Sequence, residues 1–183
     1  PSATAQNAIA FPQQPVVQLQ DEAGNPVSLG GSDVTAAVGA GGGALGGILT
    51  VPTNAGGVAA FADLSITGTV GPRTLAFTAS GLTGVTSATI TLTAGAPTTV
   101  AVNAGNDQTD TAGTAVAVPP SVLVGDVSSN PVSGVSVTFA AAAGSGTVSP
   151  VTPVLTNASG VAAATSWTLG PTAGEQTLTA TTS

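Results

Sequence analysis

Cysteine, methionine, histidine and tyrosine are absent from this 183-residue chain, and because its one basic residue is Arg73, lysine is absent too. Without cysteine no disulfide contributes to stability, which must come from packing and strand pairing. Without lysine, self-formed Lys–Asn isopeptide crosslinks are excluded, and trypsin finds almost nothing to cut. Eight acidic residues against one basic give a net charge of −7. Nothing is then present to neutralise phosphates, which excludes nucleic acid as a partner. Only 5% of residues are charged, where a soluble domain carries roughly 25%. The surface is therefore made of Thr, Ser, Gly, Ala, Asn and Gln, a composition suited to packing against copies of itself or to a coat of glycan. Either suits an extracellular structural protein.

The missing residue types also remove most catalytic chemistry. With no His, Cys, Lys or Tyr, the usual nucleophile–base pairs cannot be assembled, and a general base would have to be one of the eight carboxylates. Asp21 and Asp126 are repeated turn residues, and the other carboxylates mostly differ between the two halves described below. The expectation is a protein that is not an enzyme and needs no cofactor. No run reaches the roughly 18 uninterrupted apolar residues of a membrane span. No signal peptide is visible, so an export signal or anchor is expected outside these residues.

What is present is a repeat. Thr53-Asn54-Ala55-Gly56-Gly57-Val58-Ala59 returns as Thr156-Asn157-Ala158-Ser159-Gly160-Val161-Ala162, a shift of 103 residues (156 against 53). That is the length of a domain rather than of a solenoid rung. Asp21 to Ser28 corresponds to Asp126 to Ser133 at a shift of 105 (126 against 21), and Leu29-Gly30 as an insertion in the first copy accounts for the difference. Two domains are expected, 1–96 and 97–183. The second copy opens with a strand-like Thr99–Asn103 whose first-copy equivalent would precede Pro1, and the first closes with Ala88–Thr93 whose second-copy equivalent would follow Ser183. Each copy is thus expected to lack one terminal strand: the first strand in copy one, the last in copy two.

Helix signals are missing, with 25 glycines and 13 prolines scattered throughout, while period-two alternation is everywhere. In the first copy it predicts strands over 9–11, 16–20, 33–38, 48–51, 58–67, 73–79 and 88–93, short and separated by Gly, Pro, Asn and Asp clusters. This is the pattern of an antiparallel sandwich, and the fold class is read as all-β. Parity along 58–67 puts Val58, Ala60, Ala62, Leu64 and Ile66 on the buried face, with Leu75 and Phe77 on the next strand. In the second copy Trp167, Leu169 and Leu178 take the same places. Phe61 has the opposite parity and is predicted to face outward beside Asp63 as a contact residue, although an edge distortion would bury it.

The turns have mechanisms. Asp21 to Pro26 and Asp126 to Pro131 each place a carboxylate where it can accept backbone N–H bonds, with Asn25 and Asn130 free to adopt positive φ before Pro26 and Pro131. Asn54 to Gly57 and Asn157 to Gly160 have the composition of tight hairpins. The glycine-rich 39–47 reads as a loop and 93–98 as the joint between domains. Asp107 and Asp110, close after that joint, are the candidate Ca²⁺ ligands, without the spacing of an EF-hand loop; a solvated loop is the competing reading. Asn157-Ala158-Ser159 fits the N-glycosylation pattern, but its first-copy counterpart has Gly56 in place of Ser159.

The succession Asp-x-x-x-Asn-Pro-Val-Ser, an alternating strand, Thr-Asn-Ala-x-Gly-Val-Ala and Gly-x-x-Thr-Leu resembles bacterial immunoglobulin-like domains of the invasin and intimin type, the Big_1-like group. The resemblance covers both copies and nearly the whole chain. It implies β-sandwiches strung into stalks of surface adhesins and other exported proteins, mostly serving as spacers. The chain departs from that group in lacking Lys, and no lectin-like tip domain is visible. The functional expectation is a structural subunit or segment of an extracellular bacterial fibre, filament or adhesin stalk that pairs with itself head to tail by strand addition. An adhesive module for a surface glycan or protein is the alternative.

Overall fold

A computed structural model describes all 183 residues and divides them into two compact units, Pro1–Gly95 and Ala96–Ser183. No residue is helical. Each unit is an all-β sandwich of short strands.

In the first unit the strands are β1 (Thr4–Gln6), β2 (Val16–Gln18), β3 (Asp33–Ala40), β4 (Ala44–Gly46), β5 (Thr50–Pro52), β6 (Val58–Ala60), β7 (Ser65–Thr67), β8 (Gly71–Ala79), β9 (Val85–Thr86) and β10 (Ile90–Thr93). The larger sheet runs β1-β10-β8-β3-β5, with β9 also on β8; β2 pairs with β6 and β4 with β7. All pairs are antiparallel except β1 with β10, which run parallel. Side chains from the separate sheets meet in one core that joins Phe11, Leu19 and Phe61 to Val34, Leu75, Phe77, Ile90 and Leu92. Alternation explains this layering, since successive side chains of a strand face opposite sides.

The second unit contains β11 (Thr99–Ala104), β12 (Ser121–Gly125), β13 (Ser136–Ala141), β14 (Thr147–Ser149), β15 (Val154–Leu155), β16 (Val161–Ala163), β17 (Ser166–Thr168) and β18 (Leu178–Thr182). One sheet is β11-β12-β16, another β15-β13-β18, and β14 pairs with β17. The two units share a register: Val34 stands opposite Val51 and Ala79, as Val137 stands opposite Val154 and Thr182.

Several sequence expectations need correction. The strand predicted over 58–67 is two strands in different sheets, because the chain leaves β2 at Phe61 and joins β4 at Ser65. Between them the Leu64 N–H donates to the Gln14 side chain (3.0 Å) rather than to a strand. This bend reverses the parity, so Ala59 and Phe61 are buried while Ala60 and Ala62 are exposed. Residues 9–11 form only a single bridge, Ala10 to Ser65. The glycine-rich segment is not all loop: β3 extends to Ala40, and β4 begins at Ala44. Gly41 makes that tight turn possible, with φ +91° and a Cβ position that would fall 2.3 Å from the Pro72 carbonyl oxygen.

Candidate functional site

The repeated turns form the same way in both units. Asp21 Oδ1 accepts from the backbone N–H groups of Ala23 (3.0 Å) and Asn25 (2.8 Å), and Asp126 Oδ1 from Ser128 (2.8 Å) and Asn130 (2.9 Å). The Asn25 and Asn130 amides return to the carboxylates, and Pro26 and Pro131 follow as bridge residues to Gln20 and Gly125. Positive φ falls on Gly24 and Ser129 rather than on Asn25 and Asn130, which corrects the sequence expectation; the position two residues before proline, not one, closes the Asx turn. Asn54 and Asn157 each cap their hairpin by accepting from two backbone N–H groups. Gly57 and Gly160 close those hairpins at φ +76° and +72°, where a Cβ would strike the Val27 and Val124 carbonyl oxygens.

Exposure separates the two turns. Asp126 is 1% exposed, whereas Asp21 is open to solvent. Thr99 of β11 pairs with Gly125 beside Asp126, and no strand flanks β2 beside Asp21. Hydrogen bonds from the Asn25 side chain and then the Asn25 backbone hold the Asp21 carboxyl below the usual carboxylate range.

In each unit one strand edge is open at a place where the sister unit carries a strand, and the two edges differ. In unit 1 the outer side of β2 is unpaired, Val16 is 65% exposed, and a cleft of about 800 Å³ runs between Val16–Glu22 and Leu82–Ser87. In unit 2 the equivalent side of β12 carries β11. Conversely, β8 of unit 1 carries β10, with Ile90 opposite Arg73 and Leu92 opposite Gly71, and both aliphatic side chains 1% exposed. In unit 2 the outer side of β18 carries no strand, and a cleft of about 890 Å³ opens beside it.

The remaining sequence-predicted residues fall as follows. Leu64, Ile66, Leu75, Phe77 and Trp167 are buried, while Leu169 and Leu178 are half-buried because they line the unit 2 cleft. Trp167 donates its indole N–H to the Ser145 carbonyl at 2.8 Å. Phe61 is not a surface contact residue: it is 3% exposed and its ring lies 5.5 Å from that of Phe77, a consequence of the bend after β6. Asp107 and Asp110 also line the unit 2 cleft, but no group of three or more acidic side chains is assembled to hold a metal. Asp107 accepts from the Asn106 amide, and Asp110 from the Thr111 N–H and the Thr114 hydroxyl, which are turn contacts. Asn157 and Ser159 are exposed on their hairpin.

Arg73, the one basic residue, was given no role from the sequence, yet it is 4% exposed. Its guanidinium donates to the Pro72 and Thr69 carbonyl oxygens. Gln176 stands in the same place and donates to the Thr172 carbonyl, the counterpart of Thr69. A neutral amide does the same work, so Arg73 is a loop brace rather than an anion site. Ile90 and Leu92 were read as a strand and not as core residues; the alternation that would have shown it is Ile-Thr-Leu-Thr itself.

No protein-family model matches the chain, and no curated protein is similar to it. Among solved structures, the crystal structure of invasin, a bacterial integrin-binding protein, is similar at a TM-score of 0.41 and 22% identity, over 97% of this chain. The chain spans 34% of the length of that structure.

Proposed function

We propose that the chain is a structural subunit or segment of an extracellular bacterial fibre, filament or adhesin stalk, a Big_1-like tandem array whose principal partner is itself. The observation that carries this reading is the pair of complementary open edges, β2 in one unit and β18 in the other, each at the place its sister unit fills with a strand. Such edges pair with added strands, and pairing between unlike surfaces extends without closing. Head-to-tail strand addition would bury the exposed Val16 side of β2 and the half-buried Leu178 side of β18. The sparse charge removes the repulsion that otherwise keeps subunits apart. Backbone hydrogen bonds along each added strand would then carry tension from one unit to the next.

Electron microscopy of the native material tests this: fibres with a repeat set by the two-unit chain are expected, and dispersed single particles at all concentrations defeat it. Intact mass under full denaturation separates a subunit from a longer polypeptide, because a species far above 17.0 kDa rules out the separate subunit. An adhesive module for a surface glycan or protein predicts an exposed aromatic or an acidic cluster on loops, and the burial of Phe61 takes away the aromatic that the sequence offered, leaving Asp107 and Asp110.

A further inference from the structure

The hairpins capped by Asn54 and Asn157 share a backbone and differ at their surface. In the second, Asn157 Oδ1 accepts from the Ser159 N–H at 2.9 Å and the Val161 N–H at 3.1 Å. The Asn157 and Gly160 N–H groups close the loop by donating to the Val161 and Asn157 carbonyls. Both side-chain contacts of Asn157 therefore fall on its oxygen. Its Nδ2 makes no hydrogen bond, nor does the Ser159 hydroxyl, and Asn157, Ala158 and Ser159 are all exposed. Two features set this hairpin apart from its sister. Ser159 stands where unit 1 has Gly56, and every other Asn of the chain lacks Ser or Thr two residues on. In unit 1 the Gln18 amide donates to the Gly56 and Gly57 carbonyls at 3.1 and 3.3 Å, tying the hairpin to β2. Its counterpart Leu123, which pairs with Val161 as Gln18 does with Val58, has no donor to offer, so the second hairpin carries no such tie.

We infer that Asn157 is an N-glycosylation acceptor, its amide nitrogen taking a sugar from a donor with a diphosphate leaving group. The inference goes beyond the fibre reading and does not depend on it. Asn-x-Ser is the acceptor pattern, and the fold already holds it as an Asx turn, with the serine N–H on the acceptor's own oxygen. Two donors on Oδ1 draw amide electron density onto the oxygen, which loosens the Nδ2 protons. Nδ2 attacks the anomeric carbon of the donor. The N–C bond forms as the C–O bond to the diphosphate breaks, the electron pair leaves with the diphosphate, and the Nδ2 proton passes to a base of the transferase. Nothing is oxidised or reduced. The product is still an amide, so Oδ1 keeps both of its caps and the hairpin is retained. A neutral glycan also supplies hydration to a surface on a chain with only 5% charged residues.

The test incubates the folded full chain with a purified asparagine glycosyltransferase and a nucleotide-activated hexose, reads the intact mass and maps the site with elastase. A gain of one hexose, on Asn157 and not on Asn54, is expected. Ser159→Gly recreates the loop of unit 1, so it folds, as Trp167 fluorescence will show, and it loses the modification. Gly56 is not at positive φ, and a Cβ there meets only Asn54 Oδ1, at 3.3 Å, so Gly56→Ser is accommodated. With Gln18→Leu added to release the tie, Asn54 gains a second hexose, and Gly56→Ser alone gains less. No gain on the folded chain, a gain that survives Ser159→Gly, or Asn54 left bare in the double variant would each overturn the inference. In native material a sugar on Asn157 is expected, released by an amidase that converts the asparagine to aspartate, and an unmodified Asn157 throughout overturns the inference as well. None of these outcomes bears on whether fibres form, so the two readings fail separately.

Discussion

β8 and β18 are the same strand of the repeat, yet one is nine residues long and the other five. Both pair on one side with the corresponding strand, β3 or β13, in the same register. They differ on the other side, where β8 meets β9 and β10 and β18 meets nothing. The residues that unit 2 leaves out of its strand, 174–177, include the three, 174–176, whose unit 1 counterparts pair with β10. Strand extent here is a property of the pair rather than of the segment, because a lone edge has no ladder to fix its backbone. The burial differences follow. Leu75 is fully buried and Leu178 only half, though they are the same position of the repeat.

The two cores also distribute bulk differently across one strand pair. Ala36 stands opposite Phe77, while Phe139 stands opposite Ala180, so the aromatic ring has changed strands at a fixed register. If the units are two solutions to one packing problem, Phe139→Ala will destabilise unit 2 by about 3–5 kcal/mol. Adding Ala180→Phe to that variant will recover it to within about 1.5 kcal/mol of the parent. Urea denaturation followed by Trp167 fluorescence reads unit 2 alone, because the chain has one Trp. Failure of the second change to rescue the first would show that the ring is tied to its strand and would break the comparison.

The next effect is smaller and tests the open edge directly. Leu75→Ala should cost unit 1 about 2–5 kcal/mol, and Leu178→Ala should cost unit 2 roughly half as much, because less surface leaves water there on folding. Circular dichroism follows both units and Trp167 the second, so the two transitions can be assigned. Equal losses would mean that the cleft of unit 2 is closed in solution.

Much of this was legible in the sequence because it is local. The Asx turns at Asp21 and Asp126 and the hairpins at Asn54 and Asn157 need only side chains within four residues, and the repeat displayed each twice. What was not legible depends on where the chain changes sheets. Val58 to Thr67 keeps a strand-like alternation on both sides of its bend, and nothing in Ala62-Asp63 announces that the bend reverses the faces. Phe61 therefore read as exposed, and Ala60 and Ala62 as buried. The segment Thr4–Gln6 carries no strong strand signal either; it is a strand because β10 lies alongside it, 87 residues away in sequence (Thr91 against Thr4). The candidate calcium residues, Asp107 and Asp110, are three positions apart in sequence but spend their oxygens on separate turn contacts.

Where the environments of the two units agree, equal effects are expected. Thr53 Oγ1 accepts from the Ser32 N–H and donates to the Leu29 carbonyl, and Thr156 repeats this with Val135 and Val132; both threonines are buried. Thr53→Val and Thr156→Val each leave the same two backbone groups unsatisfied and should each cost about 1–3 kcal/mol. A large inequality in denaturation midpoints at unchanged slope would show that the insertion of Leu29-Gly30 alters the brace.

The smallest effect is the most local. Asp21 is exposed, and its carboxyl is held below the usual range by the Asn25 side chain, then the Asn25 backbone, with Ala23 and Gly24 adding to it. A depressed folded value means that the ionised carboxylate is the favoured form. Its stabilisation of the turn is complete above the unfolded value of about 3.9 and is lost as pH falls through the lower folded value. Amide exchange at Ala23 and Asn25, measured downward from pH 5, should quicken relative to the intrinsic rate only in that acid window. Asp21→Asn should remove the pH dependence while leaving the Trp167 signal of unit 2 as it was. Should protection instead be lost well above pH 4, the turn would be held by something other than this carboxylate, since no other acid accepts from those two N–H groups.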